Sequence, residues 1–190
     1  MKFLPIILSS IFTLGLGYTN PFLSDLEKAS EKVGVPVKLL SAICYAESKH
    51  RPWAHNPDDP SGGAFGICQV LYSTAGQYVK KDERCLKRFS RYDKVNNVYE
   101  NCILFGSYTS AYVGAKFLKE RLDRNNGDWL AAIAGYNSGT AKYCHDGWIV
   151  RAYDGKKLYK NSKTCPTSKE GKFINQGYVN EVLKALSEGR

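Results

Sequence analysis

Glu47 is placed where a carboxyl could do acid chemistry. In "AICYAESKH" (42–50) it follows Ile43 by four residues and Leu40 by seven. At helical spacing this puts the carboxyl on the apolar side. A carboxylate there loses solvation, so its pKa rises and it keeps its proton near neutral pH. Such a group can hand the proton to a leaving oxygen. The same spacing also fits a helix that ends here, with Glu47 turned to solvent or paired with Lys49 or Arg51.

Other chemistries find little support. The carboxylates nearest in sequence are Asp58 and Asp59, in "NPDDP", where Asp commonly closes Asx-turns. If one reached Glu47, a two-carboxylate mechanism would come into view. His50, His55 and His145 lack the C-x-x-C or H-E-x-x-H spacings of metal sites. No metal and no cofactor are expected. The net charge of +9 suits anionic surroundings. The basic residues are scattered rather than blocked, without interleaved base-stacking aromatics, and nucleic acid is not an expected partner.

The elements that must position Glu47 are mostly helical. Ser24 and Glu27 form a capping box for a helix that Gly34 stops. Pro36 suits the first turn of the next helix, which carries Leu39, Leu40, Ile43, Cys44 and Glu47. Residues 49–66 read as loop with short β structure. Helices are expected from Ser73 or Thr74, over 93–105, and through Ala111, Ala115, Leu118 and Leu122 to "RNNG". Asp128 caps "WLAAIAGYN", and Gly139 stops it. Residues 143–172 read as a basic, cysteine-clipped loop, and 177–186 as a closing helix.

The chain has 190 residues, 43% of them hydrophobic, which fits one globular domain after a leader. Lys2 followed by "FLPIILSSIFTLGL" reads as a secretory signal over 1–17, leaving 18–190 as the domain. An uncleaved anchor is the other reading of that stretch. All six cysteines lie beyond it, an even number that favours disulfides in an exported protein. Many pairings are possible. Those expected are Cys85–Cys102 and Cys144–Cys165 as loop staples, and Cys44–Cys68 as a tie between segments at the site.

Several segments together resemble a known family. "AICYAES" is followed by a Pro-Asp-Gly loop, then "GAFGICQV", "GAKFLKERL", "WLAAIAGYNSGTAK" and "YVNEVL". In this order, over about residues 22–186, they are similar to the soluble lytic transglycosylases of the lysozyme-like superfamily, glycoside hydrolase family 23. That family carries an E-S pair, a G-L-M-Q-I/V turn and an A-Y-N segment. Here they stand as Glu47-Ser48, Gly66-Ile67-Cys68-Gln69-Val70 and Gly135-Tyr136-Asn137. Cys68 and Gly135 depart from the usual methionine and alanine. The loop from Glu47 to Gln69 is longer than in the commonest members.

The resemblance implies a mostly α, lysozyme-like α+β domain with a small loop or β region beside a substrate cleft. It implies cleavage of the MurNAc-β-1,4-GlcNAc bond of peptidoglycan with 1,6-anhydromuramic ends. Glu47 would be acid and then base. Tyr136 would direct its hydroxyl to the Glu47 carboxyl. Gln69, Asn137 and Asn56 would contact the sugars, Ser48 would support the E-S turn, and Gly66 would let the chain pass close to substrate. A hydrolytic lysozyme and a non-catalytic wall-binding module are the competing readings. The partner expected is the glycan strand, met by a periplasmic or secreted monomer. Small exported members often open the wall for a secretion, conjugation or pilus apparatus, and others serve phages.

Overall fold

The computed structural model describes residues 20–59, 63–81, 85, 102–145, 148–153, 157–165 and 172–190. The 1–17 leader and most of the 93–105 helical candidate lie outside them.

Six helices are described: α1 (Leu23–Val33), α2 (Val37–Ser48), α3 (Tyr72–Ala75), α4 (Ser107–Arg124), α5 (Trp129–Ser138) and α6 (Gln176–Ser187). A 3-10 turn covers Ile103–Phe105. α4 lies at the centre. Ala111, Val113, Gly114, Ala115 and Leu118 are buried along it, with α1 and α5 packed against it. α6 packs on α2. Each fully buried large side chain here, such as Ile43, Leu118 or Val182, contributes roughly 1.5–3 kcal/mol of transfer free energy. The arrangement is the mostly α, α+β lysozyme-like domain expected.

Local signals explain most element ends. Gly34 stops α1 in the left-handed region, φ 79°. Asp128 caps α5, its carboxylate accepting from Ala131 N at 3.1 Å. Ser24 does not cap α1: the helix already begins at Leu23, and Asn20 Oδ1 accepts from Phe22 N instead.

Two three-stranded antiparallel sheets accompany the helices. The first is β1 (His55–Asn56), β2 (Ala64–Phe65) and β3 (Val70–Leu71). The second corrects the loop expected over 143–172. It is β4 (Lys142–His145), β5 (Trp148–Tyr153) and β6 (Lys157–Thr164). The overlooked signal was the pair of Asp-Gly dipeptides at 146–147 and 154–155 between apolar, aromatic and basic runs, a strong hairpin cue. The three expected disulfides are formed: Cys44–Cys68, Cys85–Cys102 and Cys144–Cys165.

Gly66 has φ 73°, and a Cβ there would stand 2.4 Å from Leu104 O and 2.7 Å from Ser110 Oγ. Its smallness serves this packing against the 3-10 turn and α4. Gly34 has a similar φ but nothing within 4 Å of a Cβ. Gly34→Ala should therefore cost only the left-handed strain, about 1 kcal/mol. Gly66→Ala adds a clash with backbone and should cost about 3 kcal/mol. Thermal denaturation of the two variants checks the order. Equal losses would contradict the packing described.

Candidate active site

α2 ends at the E-S pair because the backbone then leaves the helical region. Lys49 and His50 both take positive φ, 58° and 56°, which costs about 1–2 kcal/mol each for a side chain with a Cβ. Neighbours hold them there. Lys49 N donates to Tyr45 O at 2.7 Å, and Lys49 Nζ pairs with Glu181 of α6. Buried His50 meets Ser41 O at 2.9 Å through Nε2, which must donate to a carbonyl.

Ser48 is buried in this turn. Its hydroxyl donates to Ile67 O at 2.6 Å and accepts from Arg51 N at 3.1 Å. Ser48 thus joins α2 to the Gly66–Val70 turn and supports the backbone, as expected. Its side chain is not among those that line the cleft described below. The Cys44–Cys68 disulfide spans the same two segments. Cys68 therefore replaces the family's methionine with a covalent tie.

A cleft of about 300 Å³ opens beside the turn, lined by Glu47, Asn56, Asp59, Ala64, Gln69, Val70, Leu71, Thr74, Phe117, Tyr136 and Asn137. The structure thus brings together Glu47, Asn56, Gln69, Tyr136 and Asn137, five of the expected residues. One wall follows from strand register. Asn56 pairs with Ala64 and Ala64 with Leu71, so the three share a sheet face.

Glu47 is partly buried, and burial raises its pKa from 4.5 to about 7. The hydrogen bond from Tyr178 opposes the rise, Glu181 adds to it and Lys49 opposes it. The hydroxyl expected from Tyr136 comes from α6 instead: Tyr178 Oη donates to Glu47 Oε1 at 2.6 Å. Tyr136 Oη donates to Cys68 O at 3.1 Å. It stays near Glu47, whose charge adds to burial in pushing the Tyr136 pKa well up. Gly114 makes room for this contact, since a Cβ there would lie 2.8 Å from Tyr136 Oη.

Gln69 has φ 45°, and its Nε2 donates to Ala54 O at 2.9 Å and Gly66 O at 3.0 Å. It holds its own turn while facing the cleft. At Gly135, where the family has alanine, a Cβ would stand 3.3 Å from Ala141 N and 3.4 Å from Arg121 Cδ, a close but not forbidden fit. Buried Arg121 in turn donates to Gly139 O and fixes the end of α5 beside Asn137.

Sequence reasoning missed Tyr178, Phe117 and Thr74; of the two aspartates read first as turn formers, Asp59 is the one that lines the cleft. Phe117 lies off the apolar stripe of α4 that signalled the helix. Among the described residues no cluster of three or more His, Cys, Asp or Glu could hold a metal ion.

The family model for the transglycosylase SLT domain matches residues 25–159. The chain belongs to that family. Membership carries a transglycosylase-like function on peptidoglycan. The matched span covers α2, the cleft turn and α5. Tyr178 lies beyond it, so the contact that restrains Glu47 is contributed by α6.

The folded pKa of Glu47 lies above its unfolded value, so the fold binds this proton more tightly. Stability is full below about pH 4.5 and falls as pH rises to about 7, by on the order of 3 kcal/mol. Glu47→Gln should therefore raise the denaturation midpoint at pH 8 and leave it unchanged at pH 4, a difference chemical unfolding at both pH values reads. Tyr178→Phe removes a donor that favours the carboxylate. The high-pH limb of wall-digesting activity should move upward while the maximum falls about tenfold to a hundredfold. A pH–rate profile measures both.

Proposed function

We propose that this SLT-domain protein is an exported lytic transglycosylase. It cleaves the β-1,4 bond between N-acetylmuramic acid and N-acetylglucosamine and leaves 1,6-anhydromuramic ends. The observation that carries the reading is a partly buried carboxyl lining the cleft, held by the Tyr178 hydroxyl at 2.6 Å, which burial pushes up toward neutral pH.

Protonated Glu47 gives its proton to the glycosidic oxygen, and the bond to the anomeric carbon breaks. The substrate's own N-acetyl carbonyl stabilises the positive charge left on that carbon. Glu47, now a carboxylate, takes the proton of the C6 hydroxyl as O6 closes onto the anomeric carbon. The proton count balances, and one residue serves twice. Burial favours the neutral acid before cleavage, and Tyr178 favours the anion after it. Export is supported by the leader-like 1–17 and by the three disulfides.

Asp59 supports a second reading. It lines the cleft with Glu47, and a second carboxylate that activates water would make the enzyme a hydrolytic lysozyme.

Mass spectrometry of muropeptides released from purified wall separates the two. Anhydro ends are expected, and Asp59→Asn should leave them in place. Reducing ends that vanish in Asp59→Asn would establish the hydrolase. Glu47→Gln should lose at least about a thousandfold in rate. Unchanged retention on the wall with no turnover in the parent would identify a binding module.

A further inference from the structure

The carboxamides in the cleft are oriented by neighbours whose chemistry is fixed. An Asn or Gln side chain can be turned over to exchange donor for acceptor, and its partners decide which way it sits. A backbone carbonyl only accepts, so it decides.

Asn175 is the residue before α6. Its Nδ2 lies 3.0 Å from Ala134 O, which identifies that end as the NH2 group. The same Nδ2 stands 3.1 Å from one end of the Asn137 carboxamide. A donor requires an acceptor there, so that end is Oδ1. The NH2 of Asn137 is left for the cleft that Asn137 lines. Asn175 Oδ1 is buried without a protein partner among the described residues, so the orientation of Asn175 comes from Ala134 and Asn137.

Gln69 is fixed the other way round. Its NH2 faces two backbone carbonyls, Ala54 O and Gly66 O. Both hydrogens are taken, and Oε1 is the polar end left over. The cleft therefore offers an acceptor at Gln69 and a donor at Asn137. These are the complements of the N–H and C=O of an acetamido group.

We propose that Asn175 is a positioning residue: it holds the Asn137 carboxamide with NH2 toward the substrate and so gives the cleft its selectivity for an acetamido group. The proposal rests on the glycan-cleaving reading above and adds a residue outside the cleft to it. Asn175 lies three residues before Tyr178, so the same contact joins the cleft end of α5 to the start of the helix that restrains Glu47.

The test uses binding in a Glu47→Gln background, where ligands survive. Two neutral β-1,4 ligands of equal length are compared by calorimetry or NMR titration: an N-acetylglucosamine oligomer and a cello-oligosaccharide, which carries hydroxyl in place of acetamido. Glu47→Gln alone should prefer the acetamido ligand by about tenfold or more. Adding Asn175→Asp replaces the donor with an acceptor. Affinity for the acetamido ligand should fall about tenfold, and that for the cello-oligosaccharide should stay within about twofold. Asn137→Asp is the second variant. It keeps an oxygen for Asn175 and puts a carboxylate oxygen, an acceptor, where the NH2 stood, and it should lose the same preference with the fold intact. An Asn175→Asp change that weakens both ligands equally would make Asn175 a tie between helices and overturn the proposal, as would an unchanged preference. A parent that binds both ligands equally overturns the polarity alone. Binding of neither ligand removes the glycan site itself, and this proposal with it.

Discussion

A carboxyl at the end of α2 is drawn out of water, and one phenol from a distant helix offsets part of the cost. Most of the local architecture serves these two facts. Leu40 and Ile43 on the same helix are fully buried beneath Glu47. The left-handed turn at Lys49 and His50 takes the chain away before Glu47 can swing into solvent. α6 brings Tyr178 to the carboxyl and Glu181 to Lys49. Desolvation wins over the hydrogen bond, since the net pKa shift is upward. A group poised this way destabilises the fold at the pH where it works, which is the usual relation between stability and an acid–base site.

The rest of the cleft is held by contacts that touch no substrate. Cys44–Cys68 and the Ser48 hydroxyl bind the Gln69 turn to α2. Tyr136 reaches the same turn from α5 through Cys68 O, over the gap that Gly114 leaves in α4. Three elements thus converge on one carbonyl-rich turn. Its geometry is over-determined, and that lets Gln69 keep a positive φ while facing the cleft.

The sequence carried what is local. Glu47 stood out because of Leu40 and Ile43 at helical spacing, and Asp128 and Gly34 mark helix ends through single-residue chemistry. The motif order brought Gln69, Tyr136 and Asn137 to the same cleft. What it did not carry is long-range or competitive. Tyr178 and Glu47 are separated by 131 positions, and no periodicity encodes which of two tyrosines reaches the carboxyl. Ser24 is a sound cap by type, but Asn20 satisfies the backbone one turn earlier. The β4–β6 sheet was masked by its lysines, although Asp-Gly at two places announced the hairpins. Asp59 looked like turn chemistry because composition does not say which side of a turn faces a cleft.

The central claim is the proton on Glu47. Carbon-13 NMR of the Glu47 side-chain carboxyl, titrated in the folded protein, reads it directly. The account predicts a midpoint near pH 7. A midpoint near 4.5, the ordinary value for a glutamate in water, would contradict it.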